Sequence, residues 1–423
     1  MLSRVSVRGA SSAAAASASA PRTQTTPSGL TVAADERNGA VSHLVLAFRA
    51  GTRHELPSQK GLVHHLRNFV GRDTNSYPGV SLLWSTASIG ANVRAFATRE
   101  LYGVAISAPR AQANLALSVL GHIAAQPSFK PWELEDINET LAADIAYRTP
   151  IDFLSEDVHR AAYRKGGLAN GLFTPKKLIG KYKQEELQHF AGGHLLAGDG
   201  VLFGINVDNE TLLSYGENHA PIKEGKGKPV DASPFVGGEI RRWSSGKVAH
   251  VLLVGEGASL SDVKGIAAQN VLLAALAHNT LKYGGKSGNG ILAKAAGNEG
   301  AGISPYQAVY SDSGLAGIHL TVDGAAAGAL VRTVAKTLKN VSVEDLEGAK
   351  ALATARVIFG VESGRDFVID KAAYLFGGKG ECIVNAISQI TKADVDAAAK
   401  KLTKKFAIAS YGDIDHVPYV DEL

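Results

Sequence analysis

The residues of this chain that come nearest to metal chemistry lie in Lys60-Gly61-Leu62-Val63-His64-His65-Leu66-Arg67-Asn68-Phe69. A zinc-peptidase helix needs two histidines four apart, so that both fall on one helical face, and a glutamate beside one of them to take a proton from metal-bound water. Counted from His64 as His-x-x-Glu-His, the glutamate position holds Arg67 and the second histidine position holds Asn68. Arginine accepts no proton at ordinary pH and its fixed charge repels a cation. An asparagine amide is a poor substitute for imidazole. No glutamate is followed by histidine anywhere in the sequence, so no change of register restores the motif. The direct pattern, His-Glu-x-x-His, can begin at His54-Glu55, but its second histidine falls on Ser58. His65 points about 100° away from His64 on a helix, which makes packed or solvated histidines the simpler reading. The expectation is a degenerate motif at His64, Arg67 and Asn68, with no metal, no cofactor and no catalytic residue.

Two other candidates carry less. Cys382 is the only cysteine, which excludes an intramolecular disulfide, a thiolate metal cluster and a Cys-x-x-Cys redox pair together. It fits a reducing compartment, and in Cys382-Ile-Val-Asn-Ala-Ile it reads as a small residue in a helical segment. The glycine-rich stretch Gly284-Gly-Lys-Ser-Gly-Asn-Gly290 hints at phosphate binding. A P-loop, however, requires Gly-x-x-x-x-Gly-Lys-Ser or Thr after a strand and opening a helix. This stretch follows a helical run and reads as a flexible loop.

The elements that must position the histidine helix repeat themselves. Val41-Ser-His43-Leu-Val-Leu-Ala returns as Val248-Ala-His250-Val-Leu-Leu-Val, both read as buried strands. Lys60-Gly61-Leu62 at a helix start is matched by Lys264-Gly265-Ile266. Leu101-Tyr-Gly103-Val-Ala-Ile106-Ser is matched by Leu315-Ala-Gly317-Ile-His-Leu320-Thr, and Glu133-Leu134-Glu135 by Asp345-Leu346-Glu347. The order is kept, with the copies about 200 residues apart. Helical periodicity covers 111–125, 132–148, 325–339 and 343–363. Strands and helices come in blocks, which predicts an α+β fold with two similar domains from an internal duplication, each a mixed, largely antiparallel sheet with helices packed on one face. The boundaries are 22–220 and 237–423, joined by a Gly-, Pro- and Lys-rich linker at 221–236.

A hydrophobic fraction of 45% with 20% charged residues is ample for real cores. The net charge of +4 owes much to Arg4, Arg8 and Arg22, which precede the first acidic residue, Asp35. The body is near neutral and offers no basic stripe for nucleic acid. The start is Ser- and Ala-rich, Arg-containing and acid-free, with Leu2 and Val5 on one helical face, and residues 1–21 read as a mitochondrial transit peptide. No apolar run reaches the roughly 20 residues that cross a bilayer; Val271 to Leu276 soon meets His278, Asn279 and Lys282. Membrane attachment would therefore run through another protein.

Gly51-Thr-Arg followed by the segment Lys60 to Phe69 resembles the zinc helix of the pitrilysin and mitochondrial processing peptidase family. Alignment on Gly61 and Leu62 puts His64, Arg67 and Asn68 at the three motif positions. The family's further glutamate ligand falls within Ala142 to Ile145, where Asp144 is the one acid, and the second copy has Ala267-Ala268-Gln269 where ligands would stand. Within the family the likeness extends to core subunits of the mitochondrial ubiquinol–cytochrome c reductase complex. It is carried by Ala97-Thr-Arg-Glu100 with Tyr102, Leu154 to Tyr163, Ile179-Gly-Lys181 with Glu185-Glu-Leu187, Gly237-Gly-Glu-Ile-Arg241, Tyr310-Ser-Asp-Ser-Gly-Leu315 and Pro418-Tyr-Val-Asp-Glu-Leu423. The Asp-Glu-Leu ending is no retention signal, since Val420 stands where Lys or His is required. The resemblance implies a non-catalytic structural subunit, peripheral on the matrix side of the mitochondrial inner membrane. Its implied partners are core protein 1, cytochrome b, the c-type cytochrome and the Rieske protein. The alternative it implies is the noncatalytic partner in a presequence-processing heterodimer, whose glycine-rich segment engages presequences.

Overall fold

The computed structural model describes residues 22–277, 290–297, 300–377 and 382–423. The transit-peptide segment 1–21 and most of the glycine-rich stretch lie outside the described residues.

The first half of the chain contributes β1 (Arg22–Thr25), β2 (Thr31–Asp35), β3 (Val41–Phe48), α1 (Leu62–Asn68), α2 (Gly79–Ser88), β4 (Asn92–Ala97), β5 (Tyr102–Pro109), α3 (Ala113–Ala125), α4 (Pro131–Ala146), α5 (Pro150–Tyr163), α6 (Gln184–His194), β6 (Gly200–Ile205) and α7 (Asn209–Asn218). The second contributes β7 (Gly238–Trp243), β8 (Val248–Glu256), α8 (Val263–Leu276), α9 (Ile291–Ala296), β9 (Gly302–Val309), β10 (Gly314–Asp323), α10 (Gly324–Lys339), α11 (Leu346–Gly360), α12 (Gly364–Gly377), α13 (Ile383–Ser388), α14 (Lys392–Thr403) and β11 (Ala407–Gly412).

Strands pair in the order β1-β2-β6-β3-β5-β4 in one sheet and β7-β11-β8-β10-β9 in the other. With β1 set aside, the two orders correspond strand for strand. Each sheet has a single parallel pairing at the matching place, β2 with β6 and β7 with β11, and is otherwise antiparallel. The repeated sequences at Val41 and Val248 are thus the central strands β3 and β8 of the two sheets.

Those central strands read as continuous apolar runs because both of their faces are covered. On β3, Leu44, Leu46 and Phe48 pack with residues of α1, α3 and α4, while Val45 and Ala47 pack on the opposite face. On β8, Val251 and Leu253 join the core beneath α8 and α10, while Leu252 and Val254 face the other way. The layer of helices expected on one face is present on each sheet. The second face carries a helix exchanged between halves: α12, from the second half, lies on β6, β3 and β5 of the first sheet, and α5, from the first half, lies on β11, β7 and β8 of the second.

Residues 221–236 form no helix or strand, yet they are held. Gly227 N–H donates to Asp199 Oδ2 (2.5 Å), Leu168 N–H to Ser233 Oγ (3.3 Å) and Val236 N–H to Ala162 O (2.7 Å). Cys382 is exposed at the N-cap of α13.

Candidate functional site

Helix α1 begins at Gly61, whose φ of 95° is a left-handed conformation. A Cβ there would come within 2.5 Å of Thr174 Oγ1, so glycine is required on two grounds. The helix has no capping side chain at its N-cap. Instead the buried carboxyl of Glu55 reaches over, accepting from Gly61 N–H (2.9 Å) and Val63 N–H (2.8 Å). Burial pushes the Glu55 carboxyl up to about 8, against the pull of those two amides. The glutamate of His54-Glu55 is therefore a helix cap. Its neighbour His54 packs its ring on that of His194, 5.1 Å between centroids, and burial drives it down to about 3.

His64 is fully buried. The N–H of Thr174 donates to its Nδ1 at 3.1 Å, and a backbone N–H can only donate. Burial pushes the imidazole down to about 4, so it is neutral at pH 7 and carries its one proton on Nε2. That N–H points at Asp144 Oδ2, 3.0 Å away on α4. The same oxygen accepts from Arg67 and, at 3.4 Å, from Asn68 Nδ2, which also donates to His64 O at 2.9 Å. Partial burial would raise the Asp144 carboxyl, but the His64 bond and the Arg67 charge together hold it below the usual range. The rings of Phe173 and His64 pack in a T-shaped pair, 5.4 Å between centroids. His65 leaves in another direction: its Nδ1–H donates to Gly61 O at 2.8 Å and its ring meets Tyr182 edge-on.

The structure therefore brings together His64, Arg67, Asn68 and Asp144, the four positions singled out from sequence, and excludes His65 and His54. Their chemistry does not fit a zinc ion. Only His64 and Asp144 are ligand types, the ligand nitrogen is protonated toward the carboxylate, and a guanidinium sits on that carboxylate. Among the described residues there is no group of three or more His, Cys, Asp or Glu placed to hold a metal. On α8, the matching residues Ala267, Ala268 and Gln269 are buried, and Gln269 accepts from Ala258 N–H (2.8 Å) and donates to Gln307 (3.3 Å). Sequence reasoning missed Glu55 as a cap and Thr174 as the residue that fixes the His64 tautomer. Thr174 lies 110 residues from His64 and no local pattern joins them.

A second polar array spans the two halves. Arg53, 7% exposed, donates to Glu100 (2.7 Å), to both oxygens of Asp312 (2.8 and 2.5 Å) and to Asp231 O (2.9 Å). Glu100 in turn accepts from Ser311 N–H at 2.9 Å. One buried arginine thus joins the first half, the linker and the second half. Beside it lies a cavity of about 720 Å³ bordered by Arg49, Phe96, Tyr310, Ile369 and Phe376.

Residues 30–176 match the family described as Insulinase (Peptidase family M16). The chain is 29% identical over 414 residues to human "Cytochrome b-c1 complex subunit 2, mitochondrial", covering 94% of this chain and 90% of the relative. It is 28% identical over 439 residues to the Neurospora crassa protein of the same name, covering 97% and 93%. It is 26% identical over 433 residues to the Arabidopsis thaliana "Probable mitochondrial-processing peptidase subunit alpha-2, chloroplastic/mitochondrial", covering 95% and 84%. No helix among the described residues is long and apolar enough to cross a membrane.

Proposed function

We propose that this chain, a non-peptidase member of the insulinase (M16) peptidase family, is a structural subunit of the mitochondrial cytochrome b-c1 complex, the ubiquinol–cytochrome c reductase of respiration, in the place that subunit 2 holds in its relatives. The observation that carries this reading is likeness running the length of the molecule, 94% of this chain and 90% of the human relative, rather than a shared motif. The cluster at His64, Arg67, Asn68 and Asp144 supports the absence of metal and of peptidase chemistry.

In this reading the chain touches neither electrons nor quinone. It supplies broad folded surfaces whose docking stabilises the redox subunits by mass action. Its surface suits that work. All three tryptophans, Trp84, Trp132 and Trp243, stand 62–75% exposed, with Tyr147 at 84% and Phe359 at 70%. Aromatic side chains of this kind dominate binding energy at protein interfaces. The partners are core protein 1, cytochrome b, the c-type cytochrome and the Rieske protein, and the chain sits peripherally on the matrix side of the inner membrane. Residues 22–220 and 237–423 act as two domains bridged by 221–236.

A second reading is favoured by the relative named as a processing-peptidase alpha subunit: the noncatalytic half of a presequence-processing heterodimer. Isolation of the tagged protein from mitochondria in mild detergent separates the two. Recovery with b- and c-type heme and without zinc on this chain is the expected result. A heme-free, zinc-bearing heterodimer that cleaves presequence peptides would overturn it in favour of the second reading.

A further inference from the structure

We propose that the guanidinium of Arg67 has taken over the structural place of a metal ion, as a built-in cation that ties α1 to α4 and shuts the site against divalent metals. The inference concerns this chain's own residues and stands whichever complex the chain joins.

A metal at this position would do two things: draw side chains of α1 and α4 to one point, and neutralise the carboxylate brought there. Both jobs are done by Arg67. Asp144 Oδ2 on α4 is the point of convergence, reached from one face of α1 by His64 Nε2 at 3.0 Å, by Asn68 Nδ2 at 3.4 Å and by Arg67. The positive charge there belongs to Arg67, because His64 is neutral and Asn68 carries none. In a tetrahedral site with bonds of about 2.0–2.2 Å, neighbouring ligand atoms stand roughly 3.3 Å apart. His64 Nε2 and Asp144 Oδ2 retain almost that spacing, but a proton now lies between them.

Three further features hold the closed state. Thr174 N–H occupies the other ring nitrogen, so the proton cannot move to Nδ1 and free the Nε2 lone pair without breaking that bond. Thr174 Oγ–H also donates to Gly61 O at 3.0 Å, which pins the covering segment to the start of α1. The apolar contact between the two helices, Leu62 and Leu66 in one core with Leu134, Ile137 and Leu141, keeps the distance between them short. Arg67 is 28% exposed and Asp144 31%, so the pair is sheltered enough to matter and open enough for an added metal to reach.

The test uses purified full-length chain and Co²⁺ as the metal probe, read by visible absorption and by Tm. The natural chain should take up no Co²⁺. Arg67→Ala should lower Tm by ~2–4 °C, and Arg67→Lys should lose less because it keeps the charge. The double variant Arg67→Glu with Asn68→His should bind one Co²⁺ per chain, with tetrahedral absorption, and Co²⁺ should raise its Tm. Three results would each overturn the proposal: stoichiometric Co²⁺ on the natural chain that His64→Ala abolishes, an Arg67→Ala chain that melts with the natural one, or a folded double variant that ignores Co²⁺. Should the double variant fail to fold, the Arg67→Ala melting temperature decides alone.

Discussion

Helices α5 and α12 do the same job in the two repeats, each crossing to cover the sheet of the other half, yet they are held by different forces. α5 is anchored by polar contacts within an apolar seam. Leu154, Val158, Ala161 and Ala162 pack on Leu252, Val254, Ala407 and Ala409. Asp157 receives two 2.9 Å bonds from Arg242 on the strand below, and Tyr310 O–H donates to His159 Nε2 at 2.7 Å. Its start is fixed by Pro150 and a capping box between Thr149 and Asp152. α12 has only Val368 and Ala372 fully buried, and its polar ties are exposed: an Arg94–Asp366 pair (2.8 Å), a bond from Arg49 to Phe376 O (2.5 Å) and stacking of Arg37 on Phe367. One exchanged helix is bolted by buried directional bonds, while the directional bonds of the other lie exposed at its rim. The first half therefore fastens itself to the second more firmly than the second does to the first.

The largest expected effect comes from Arg99, which steadies α5 within its own half, from the turn before β5 to Glu156 at 2.9 Å, and so keeps the helix in place for its crossing. Both are buried, 4% and 7% exposed. Arg99→Ala leaves the buried Glu156 carboxyl without its cation, with the Leu172 N–H (3.0 Å) as its remaining donor, and should cost ~3 kcal/mol of unfolding free energy. The counterpart at the other helix, Arg94→Ala, should cost under ~1 kcal/mol because both partners are half-exposed. Denaturant titration of the two variants compares them directly, and equal losses would erase the distinction between the helices.

Acid should act next in size, and unequally. Burial, then the Arg99 charge, hold His159 well below its ordinary value, and its Nδ1–H already donates to Ser155 O at 2.6 Å. Its unfolded form gains a proton below about pH 6.5 that the folded form refuses. The stability it confers is thus present above that value and is lost as pH falls, by at most ~1.4 kcal/mol per pH unit. At α12 the signs oppose. Burial lowers His43, beneath the first turn, whereas burial, then the Asp366 charge, raise Asp370, which favours the folded state as pH falls. Amide hydrogen exchange at pH 7 and pH 5 should show α5 losing protection before α12, and His159→Gln should flatten the pH dependence.

Little of this exchange was legible in the sequence, although much of the fold was. The duplication could be read because β3 and β8 are apolar on both faces, and a short run such as Val248 to Val254, rich in valine and leucine, suits a central strand covered on both sides. What covers the second face could not be read, because the spacing of Leu154, Val158 and Ala161 declares an apolar stripe without saying whose sheet it meets. The helix expected over 343–363 is α11, Leu346–Gly360, begun by Asp345 accepting from Gly348 N–H, and α12 starts as a separate element at Gly364. At the site, motif arithmetic found His64, Arg67 and Asn68, and helix register found Asp144. What escaped is the set of bonds among them, since a guanidinium reaching a carboxylate 77 residues away leaves no local trace.

The smallest expected effect tests how far α12 depends on close packing. Gly364 opens the helix directly over the His43 ring, and a Cβ there would stand 2.6 Å from Cδ2 and 2.8 Å from Nε2. The ring cannot easily give way, because its Nδ1 shares a 2.8 Å hydrogen bond with Ser107 on the neighbouring strand. Gly364→Ala gains up to ~1 kcal/mol from helix propensity but must lift the helix start or tilt the ring, an overpacking cost of ~1–3 kcal/mol. The net should be a loss of ~1 kcal/mol, with faster hydrogen exchange confined to α12 and the strands under it. Exchange that rises equally in α5 would mean that the two crossings are coupled and do not hold independently.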